Sequence, residues 1–412
     1  MKEGSEKRRI LFVDDEPKIL QGLRRMLRSM RHEWEMGFAE SGPEALEMLE
    51  REPFDVIVSD MRMPGMDGSQ LLSQVKQCYP MIVRIVLSGH SEHEMIMKSV
   101  LTAHQYLSKP CDSKTLISTV SRSCALRDLL GQESLKQIVS QTESLPSLPS
   151  LYTEIMEELR LSNGSIQKIG KIIEKDLGMT AKILQLVNSS FFGLPRHVSD
   201  PLQAVILLGF DTVRSLVLTI ELFSKFDPAT LSVMHIENIY KHSLQTGAIA
   251  REIAKMENMD EELIDNVFMT GLLHDLGKLV LAANYYEPYR EVYELSRHGE
   301  LTFHEAEIKV LGGGTHAQVG AYLLALWGLP DTIIEGVAFH HDPGSCPINN
   351  ICPLTVVYAA NILEHHANTT LGMEDLEQVF DEEYLTQIGL NERIPAWKDI
   401  SQQIEMEADN NE

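Results

Sequence analysis

The sequence contains few cysteines and no long apolar run, and both absences narrow the class of protein. Its five cysteines are scattered and form no C-x-x-C pair, which indicates a reducing cytoplasm instead of a disulfide-bonded scaffold. No run of about 18 apolar residues occurs, so we expect no transmembrane helix and no membrane partner. The charged segment 1–9 is not followed by the apolar core of a signal peptide, which also favours a cytoplasmic location.

Basic residues are scarce relative to acidic ones. The 412 residues include 36 Lys and Arg against 60 Asp and Glu, a formal net charge of -24. Because affinity for nucleic acid comes largely from Lys and Arg that meet phosphates, we expect no direct nucleic-acid partner and disfavour a DNA-binding transcription factor. From Glu374 to Glu412 there are twelve acidic residues against two basic ones. This pattern predicts a helical or partly disordered acidic extension with a solvated surface.

The first part of the chain, up to about residue 125, alternates short β-branched runs with amphipathic helical stretches. One such stretch has Ala45, Leu46 and Leu49 at helical spacing, directly after the helix-start signal of residues 41–44. Five strands and five helices fit this alternation. We therefore predict a doubly wound α/β domain, followed by at least one further domain in a chain of this length.

Polar residues stand where four of the predicted strands end. They are the acidic pair Asp14-Asp15, then Asp60, then Ser88, and finally Lys109 before a proline. The ends of strands in an open parallel sheet share one edge, and ligands bind there. The sequence thus predicts three carboxylates, a hydroxyl and an ammonium group in one pocket.

This set of side chains suits phosphoryl transfer. Three carboxylates are hard oxygen ligands for Mg²⁺, which neutralises charge on an incoming phosphoryl group. Asp60 can act as the nucleophile and form an acyl phosphate, with Lys109 as a fixed positive charge on the phosphoryl oxygens. Any one of these residues alone would be interpreted as a helix cap or a turn residue, but the ordered set favours a site.

Residues 8–125 resemble a response-regulator receiver domain. The resemblance makes Asp60 the phosphoacceptor and implies phosphotransfer from a cognate histidine kinase. The implied magnesium ligands are Asp14, Asp15, Asp60 and the backbone carbonyl of Arg62, and the implied switch residues are Ser88, Tyr106 and Lys109. On phosphorylation Ser88 would be drawn inward and Tyr106 would follow, so that a local electrostatic event changes the outer face of the last strand and helix.

The chain then becomes helical. The pattern from Thr115 to Val139 is interrupted at Gly131, and this helical stretch could pair two chains into a homodimer. We predict a helical linker over 126–144. Beyond Leu151 the strand signal disappears and an all-α region follows. Its predicted breaks are Asn163-Gly164, Gly193-Leu194-Pro195, Asp227-Pro228, Gly312-Gly313-Gly314 and Asp342-Pro343-Gly344.

Histidines are concentrated in this helical half. The pair His274-Asp275 lies in the apolar, helical pattern of residues 269–279, and the others of interest are His242, His316, His340 and His341. Imidazoles with a carboxylate suit a Zn²⁺, Mn²⁺ or Fe²⁺ site with an open position for water. Any one of them alone would more often be a hydrogen-bonded core residue.

The helical half resembles an HDOD domain. The matching segments are residues 145–149, 175–184, 187–190, 204–209 and 327–330. We place this domain at 145–345 and a C-terminal helical region that ends in an acidic tail at 346–412. HDOD domains are relatives of the HD and HD-GYP phosphohydrolases that mostly act as regulatory modules, so the resemblance implies an output through an unknown signalling protein partner.

The resemblance also bears on a metal site. His242, His274, Asp275, His316, His340 and His341 stand where a di-metal HD-GYP enzyme has ligands, and Lys278 matches its lysine. Two departures argue against catalysis, because Asn361 replaces the last metal-binding Asp and no Gly-Tyr-Pro follows His341. A phosphorylation-controlled, protein-binding output is therefore our leading hypothesis. The alternative is a phosphorylation-gated, metal-dependent phosphohydrolase that acts on a cyclic dinucleotide or a related nucleotide.

Overall fold

The computed structural model describes residues 7–88, 102–130, 132–142, 145–161, 164–188, 197–219, 224–298, 301–346, 350–367 and 379–409. The chain divides into two compact units. One comprises Met1–Ser144 with Gln185–His197 and Tyr322–Gly328, and the other comprises Leu145–Leu184, Val198–Ala321 and Leu329–Glu412. None of the helices in the described part of the chain is long and apolar enough to cross a membrane.

A five-stranded parallel sheet forms the centre of the first unit. Its strands are β1 (Arg8–Val13), β2 (Trp34–Ala39), β3 (Val56–Asp60), β4 (Val83–Ser88) and β5 (Gln105–Ser108). Their order in the sheet is β2-β1-β3-β4-β5, and every neighbouring pair is parallel. The predicted doubly wound fold is thus confirmed.

Three described helices lie between strands of the sheet, and a fourth follows the last strand. They are α1 (Pro17–Met26), α2 (Gly42–Arg51), α3 (Gly68–Cys78) and α4 (Ser113–Leu129), with a 3₁₀ turn at Arg28–His32. The predicted start of α2 is confirmed, because the Ser41 side chain accepts a hydrogen bond from the backbone N–H of Glu44. The fifth predicted helix falls on residues 89–101, which lie outside the described residues.

A buried arginine joins the sheet to the next helix, α5 (Glu133–Gln141). The guanidinium of Arg84 on β4 is 1% exposed and donates to the carbonyl oxygens of Thr102, at 2.6 Å, and Ser140, at 3.1 Å. The His104 ring lies 2.9 Å from the same Ser140 oxygen. The end of α5 is therefore held on β4, and the predicted interruption of the helix near Gly131 is confirmed by the gap between α4 and α5.

The second unit is helical. Its helices are α6 (Pro149–Arg160), α7 (Ile166–Glu174), α8 (Leu177–Val187), α9 (Pro201–Leu208), α10 (Phe210–Thr219), α11 (Pro228–Val233), α12 (Ile236–Met256), α13 (Glu261–Leu273), α14 (Leu276–Asn284), α15 (Tyr286–Arg297), α16 (Phe303–Val310), α17 (His316–Leu326), α18 (Asp331–Phe339), α19 (Pro353–Ala367), α20 (Glu382–Gln387) and α21 (Ile394–Asp409). Residues 185–187 of α8 and 322–326 of α17 are assigned to the first unit. Two-residue strands β6 (Pro146–Ser147) and β7 (Ser224–Lys225) pair in parallel, a small feature that the sequence pattern did not indicate.

Several predicted breaks coincide with helix ends. Helix α11 begins at Pro228, the three glycines 312–314 separate α16 from α17, and Asp342 follows α18. The predicted breaks at 163–164 and 193–195 fall wholly or partly outside the described residues. The helical pattern of residues 269–279 is divided into α13 and α14, because Asp275 leaves helical geometry with φ -94° and ψ 8°.

A buried aspartate organises the start of the second unit. Asp176 is fully buried, and its carboxylate accepts the Met179 backbone N–H at 2.9 Å and the Tyr240 hydroxyl at 3.4 Å. Burial raises the pKa of Asp176 to about 6. Near this aspartate, Gly178 packs so closely on Leu145 that a Cβ would lie 3.0 Å from the Leu145 backbone oxygen.

The C-terminal region contributes to a core. Trp397 is fully buried among apolar residues of α12, α19 and α21, and its indole N–H donates to Glu257 at 2.8 Å. Arg393 donates to the same carboxylate oxygen at 2.8 Å. The expectation of a merely solvated extension is therefore wrong for this segment, since one face of α21 is apolar and packed.

Candidate functional sites

The predicted acidic pocket forms at the carboxyl edge of the sheet. Asp14 and Asp60 are buried, with 2% and 6% exposure. The ammonium of Lys109 lies 2.6 Å from Asp14 Oδ2 and also contacts Asp60 Oδ1. The structure thus brings together two of the three predicted carboxylates and the predicted lysine, and Asp15 lies half-buried next to Asp14.

Backbone groups orient both carboxylates. Asp14 Oδ1 accepts the Glu16 N–H at 2.9 Å, and Asp60 Oδ2 accepts the Arg62 N–H at 2.7 Å. The chain after Asp60 turns back tightly, because a Cβ on Gly68 would lie 2.2 Å from the Asp60 backbone oxygen. Glycine is thus required at position 68 to start α3 beside the phosphoacceptor candidate.

The ammonium group of Lys109 balances the negative charges of Asp14 and Asp60 by direct contact. Burial raises the pKa of Asp60, although the hydrogen bond from Lys109 opposes the rise. Burial lowers the pKa of Lys109, but its hydrogen bonds to Asp14 and Asp60 outweigh this effect and raise the pKa overall. The lysine is therefore charged at neutral pH, and the oxygen donors around it fit a hard cation such as Mg²⁺.

The predicted switch residues are only partly described. Ser88 ends β4 and is paired with Ser108 of β5, but its side chain lies outside the described atoms. Tyr106 on β5 is 5% exposed and belongs to the core cluster that includes Met61 and Val86. The Tyr106 ring is therefore inside the domain in this structure.

The second candidate site is a cluster of histidines around Asp275 in the helical unit. The Nε2 atom of His316 lies 3.1 Å from Asp275 Oδ1, and that of His274 lies 3.6 Å from Asp275 Oδ2. Those of His340 and His242 lie at 3.9 Å and 3.8 Å from the same carboxylate. His341 Nε2 is 3.1 Å from His316 Nε2. All six residues predicted from the sequence are thus brought together.

A close helix crossing makes this cluster possible. Gly277 on α14 packs against α17, and a Cβ there would lie 1.9 Å from the His316 backbone oxygen and 2.8 Å from Gly320 N. Because Gly277 lies only two residues after Asp275, the crossing places His316 beside that carboxylate. Lys278 follows directly, and its ammonium lies 2.7 Å from Asp275 Oδ2.

The Nδ1 atoms of four histidines are each paired with an acceptor outside the cluster. His274 Nδ1 lies 2.7 Å from the Gly271 carbonyl oxygen, and His340 Nδ1 lies 2.8 Å from that of Val337. His316 Nδ1 lies 2.7 Å from Glu307 Oε2, and His242 Nδ1 contacts Glu364 Oε2. Carbonyl and carboxylate oxygens only accept, so each Nδ1 carries the proton, and in a neutral imidazole Nε2 is then a bare acceptor.

These bare Nε2 atoms face one another. The Nε2 atoms of His242 and His274 are 3.1 Å apart, and those of His316 and His340 are 3.3 Å apart. Two lone pairs at that distance repel unless a cation or a proton lies between them. The arrangement therefore fits a bound cation, and carboxylates or carbonyls behind ligating histidines are the usual support of metal sites.

The charge states within the cluster agree with this interpretation. Burial lowers the pKa of His274 to about 3 and also lowers that of His340, so both rings are neutral. Burial lowers the pKa of His316 too, but Glu307 outweighs it and the pKa rises overall. Burial raises the pKa of Asp275, but the opposing effects, led by the charge of Lys278, outweigh it and the pKa falls overall. Lys278, 2.7 Å from Asp275 Oδ2, and a proton on His316 are thus the charges within the described residues that can balance Asp275 without a metal ion.

Two triads offer donors for a metal ion. One is His316, His340 and His341, and the other is His242, His274 and Asp275, each with its donor atoms within 4.8 Å of one another. Imidazole and carboxylate donors suit Zn²⁺, Mn²⁺ or Fe²⁺. A third triad of His242, Glu364 and His365 meets the same distance limit.

Glu307, Glu364 and His365 were missed by the sequence analysis. No spacing rule indicates that they would contact the cluster, because their helices α16 and α19 are placed by packing. Asn361, which stands where an HD-GYP enzyme has its last metal-binding aspartate, is 5% exposed. Its Oδ1 has no hydrogen-bond partner within the described ranges. Glu364 lies one helical turn after it.

Comparison with protein families identifies both parts of the chain. The model of the response regulator receiver domain matches residues 10–121, and the model of the HDOD domain matches residues 145–343. The second match contains every predicted HD-type ligand from His242 to His341, whereas Asn361 and Glu364 lie after its end.

Relatives match parts of the chain. An uncharacterized protein of Treponema pallidum (strain Nichols) is 27% identical over 235 residues, 56% of this chain and 44% of that protein. The hydrogenase transcriptional regulatory protein HoxA of Cupriavidus necator is 39% identical over 124 residues, 30% of this chain and 25% of the relative. The chain thus spans less than half the length of either relative.

Solved structures are similar as well. The signal receiver domain of an HD domain-containing protein from Pseudomonas fluorescens Pf-5 is 31% identical, with a TM-score of 0.28, and the match covers 29% of this chain and 96% of that structure. The response regulator MmoQ from Methylococcus capsulatus is 20% identical, with a TM-score of 0.46, over 62% of this chain and 98% of that structure.

Proposed function

Because this chain is a response regulator that joins a receiver domain to an HDOD domain, we propose that phosphorylation of Asp60 by a histidine kinase controls the HDOD output. The observation that supports this most directly is the contact of Lys109 with both Asp14 and Asp60. It places a fixed positive charge beside the carboxylate that would be the nucleophile.

The chemistry follows from these groups. The ionised Asp60 carboxylate attacks phosphorus, the bond from phosphorus to the histidine nitrogen breaks, and an acyl phosphate forms on Asp60. Lys109 then neutralises a phosphoryl oxygen, and the backbone N–H of Arg62 keeps the other Asp60 oxygen in place. Mg²⁺ would be held by Asp14, Asp15, Asp60 and the Arg62 carbonyl, and when bound it supplies further neutralisation of the phosphoryl charge.

Labelling with acetyl phosphate and Mg²⁺ tests the phosphoacceptor. Wild type should shift on a phosphate-affinity gel, whereas Asp60→Asn should not. Asp399→Asn, which changes an exposed aspartate on α21, is the matched control and should be labelled like wild type. Labelling of Asp60→Asn at the wild-type level would disprove the assignment.

We propose that the output is the binding of another signalling protein by the HDOD domain. The family match supports this, since the resemblance is to domains that mostly act as interaction modules. A pull-down that compares wild type, with and without beryllofluoride, against Asp60→Asn would identify the partner. An identical set of bound proteins in all three samples would contradict control by phosphorylation.

A metal-dependent, HD-type phosphohydrolase is the second candidate, and the inward-facing Nε2 atoms of the histidine cluster favour it. Lys278 would help to bind a substrate phosphate, and the substrate class would be cyclic dinucleotides or related nucleotides. Metal analysis of the purified protein, followed by turnover assays with Mn²⁺ or Fe²⁺, tests this candidate. Absence of both metal and turnover, even with Asp60 phosphorylated, would remove it.

A further inference from the structure

We infer that Glu364 is a positioning residue that holds His242 as a ligand for a divalent metal. This inference depends on the proposed metal site in the histidine cluster. It concerns a residue that lies beyond the matched HDOD segment and that the sequence pattern did not indicate.

The first argument is the direction of the His242 ring. Its Nδ1 donates to Glu364, so its Nε2 is directed at His274 Nε2, 3.1 Å away, and at Asp275. In the other tautomer Nε2 would carry the proton, and the nitrogen that faces the cluster could not bind a metal. The carboxylate of Glu364 thus selects the tautomer in which His242 can be a ligand.

The second argument is a matched pair elsewhere in the cluster. Glu307, which is fully buried, supports His316 through Nδ1 at 2.7 Å in the same way. His316 and His242 belong to different donor triads. Each triad therefore contains one histidine whose outer nitrogen is held by a glutamate, and this repeated arrangement is expected for ligands but not for ordinary core histidines.

The third argument is the packing around Glu364. Its side chain is 15% exposed and that of His242 is 11% exposed, so their contact is largely shielded from water. The ring of His365 stacks on that of His242, with centroids 4.4 Å apart and an interplanar angle of 22°. The His242 ring is thus fixed in position by a stack and a hydrogen bond at once.

Glu364 lies on the same face of α19 as Asn361, one helical turn later. Positions three apart in a helix lie on the same face. Asn361 offers only a neutral amide oxygen, which is a poor donor for a divalent cation. Glu364 contacts the outer nitrogen of His242 instead, and the imidazole and carboxylate donors of the two triads suit a first-row divalent ion such as Co²⁺, Zn²⁺, Mn²⁺ or Fe²⁺.

The test uses Co²⁺ with full-length wild type, Glu364→Ala, Glu364→Gln and the exposed control Glu291→Ala. Loss of a supporting carboxylate weakens metal binding by about 10–100-fold. We expect Glu364→Ala to bind one Co²⁺ ion with an affinity reduced by this factor, and the control Glu291→Ala to bind Co²⁺ like wild type. The Co²⁺ affinity of Glu364→Gln should lie between those of wild type and Glu364→Ala, because the amide oxygen still accepts a hydrogen bond from the Nδ1–H of His242. Circular dichroism melts confirm that each variant is folded.

Proton spectra of the Co²⁺ forms provide a readout that a purely structural role would not change. Ring N–H protons of ligating histidines give strongly shifted signals that disappear in D₂O. One such signal should vanish or broaden in Glu364→Ala and return in Glu364→Gln. Unchanged affinity and unchanged N–H signals in Glu364→Ala would overturn the role of Glu364 alone. Failure of wild type to bind Co²⁺ at all would instead overturn the proposed metal site.

Discussion

Lys109 and Asp14 form an ion pair of 2.6 Å in a pocket where Asp14 is almost completely buried. The same ammonium contacts Asp60, so one lysine balances the two carboxylates at the strand ends. Removing it would leave two buried carboxylates side by side, and like charges in close contact disfavour ionisation of both.

We predict that Lys109→Met slows phosphorylation of Asp60 by about 10²-fold, the usual effect of removing one group that stabilises the charge of a transition state. The initial rate with acetyl phosphate measures this effect. Lys114→Met, an exposed lysine at the start of α4, is the control and should react at the wild-type rate. Equal rates for the two variants would show that Lys109 has no role in the transfer.

Substitution of Arg84 tests the junction between the sheet and α5. Arg84→Met removes a buried donor to the carbonyl oxygen of Thr102 and one of the two groups, with His104, that contact the carbonyl oxygen of Ser140. A buried polar group without a partner costs about 1–3 kcal/mol, so we expect a loss of about 3 kcal/mol in the free energy of unfolding. Urea unfolding measures it.

The control for Arg84 is Arg51→Met, because the Arg51 side chain is 75% exposed. Its effect should remain within about 0.5 kcal/mol, as is usual for surface substitutions. Hydrogen exchange adds spatial detail, since α5 should exchange faster in Arg84→Met than in wild type. Unchanged protection of α5 would contradict the proposed anchoring of Ser140.

The glycine crossing in the helical unit predicts a second large effect. Gly277→Ala would place a methyl group 1.9 Å from the His316 backbone oxygen, so α14 and α17 must separate. We expect a destabilisation of at least about 3 kcal/mol and loss of Co²⁺ binding by the triad of His316.

A matched glycine gives the opposite expectation. A Cβ on Gly22 in α1 would meet nothing within 4 Å, and alanine is favoured over glycine in a helix by about 1 kcal/mol. Gly22→Ala should therefore be neutral or stabilising in thermal melts. A Gly277→Ala variant with wild-type stability and metal binding would show that the crossing is not as close as described.

Asp176 makes stability depend on pH. Its folded-state pKa of about 6 lies above the value of about 3.9 for an unfolded aspartate. A raised carboxyl pKa contributes stability that is fully present below the unfolded value and is lost as pH rises through the folded value. The difference corresponds to about 3 kcal/mol between acidic and neutral pH.

Asp176→Asn isolates this effect from the other titrating groups. The amide keeps an oxygen that can accept the Met179 N–H but does not ionise. Urea unfolding of both proteins between about pH 4 and pH 7 should show wild type losing stability relative to Asp176→Asn as pH rises. A constant difference across this range would contradict the raised pKa.

The acidic pocket could be predicted from local sequence alone. Asp14, Asp60 and Lys109 follow apolar strands, and a parallel sheet places all of its strand ends at one edge. Strands β1 and β3 are neighbours, and the long side chain of Lys109 reaches their carboxylates from the end of β5, two strands from β3. The helix after Ser41 was likewise predictable, because its capping residue and its apolar spacing act over one or two turns.

The support of the histidine cluster could not be predicted in this way. Glu364 contacts His242 across 122 positions, and this contact depends on how α12 and α19 pack. The burial of Trp397 was not predicted, because the acidic composition of the segment indicated a solvated surface although one face of α21 is apolar. Arg84 is a further case, because a charged residue in a strand is usually assigned to a solvated surface.

The cluster around Asp275 draws its six predicted donors from four places in the sequence, and those donors are held together by packing in the absence of any covalent link. An ion bound there would act as a cross-link that closes a loop between His242 and residues as distant as His341. Binding only to the folded state adds about 2.7 kcal/mol at a free concentration one hundred times the dissociation constant. The stability of the helical unit would then depend on the free concentration of the metal, independently of any change at Asp60.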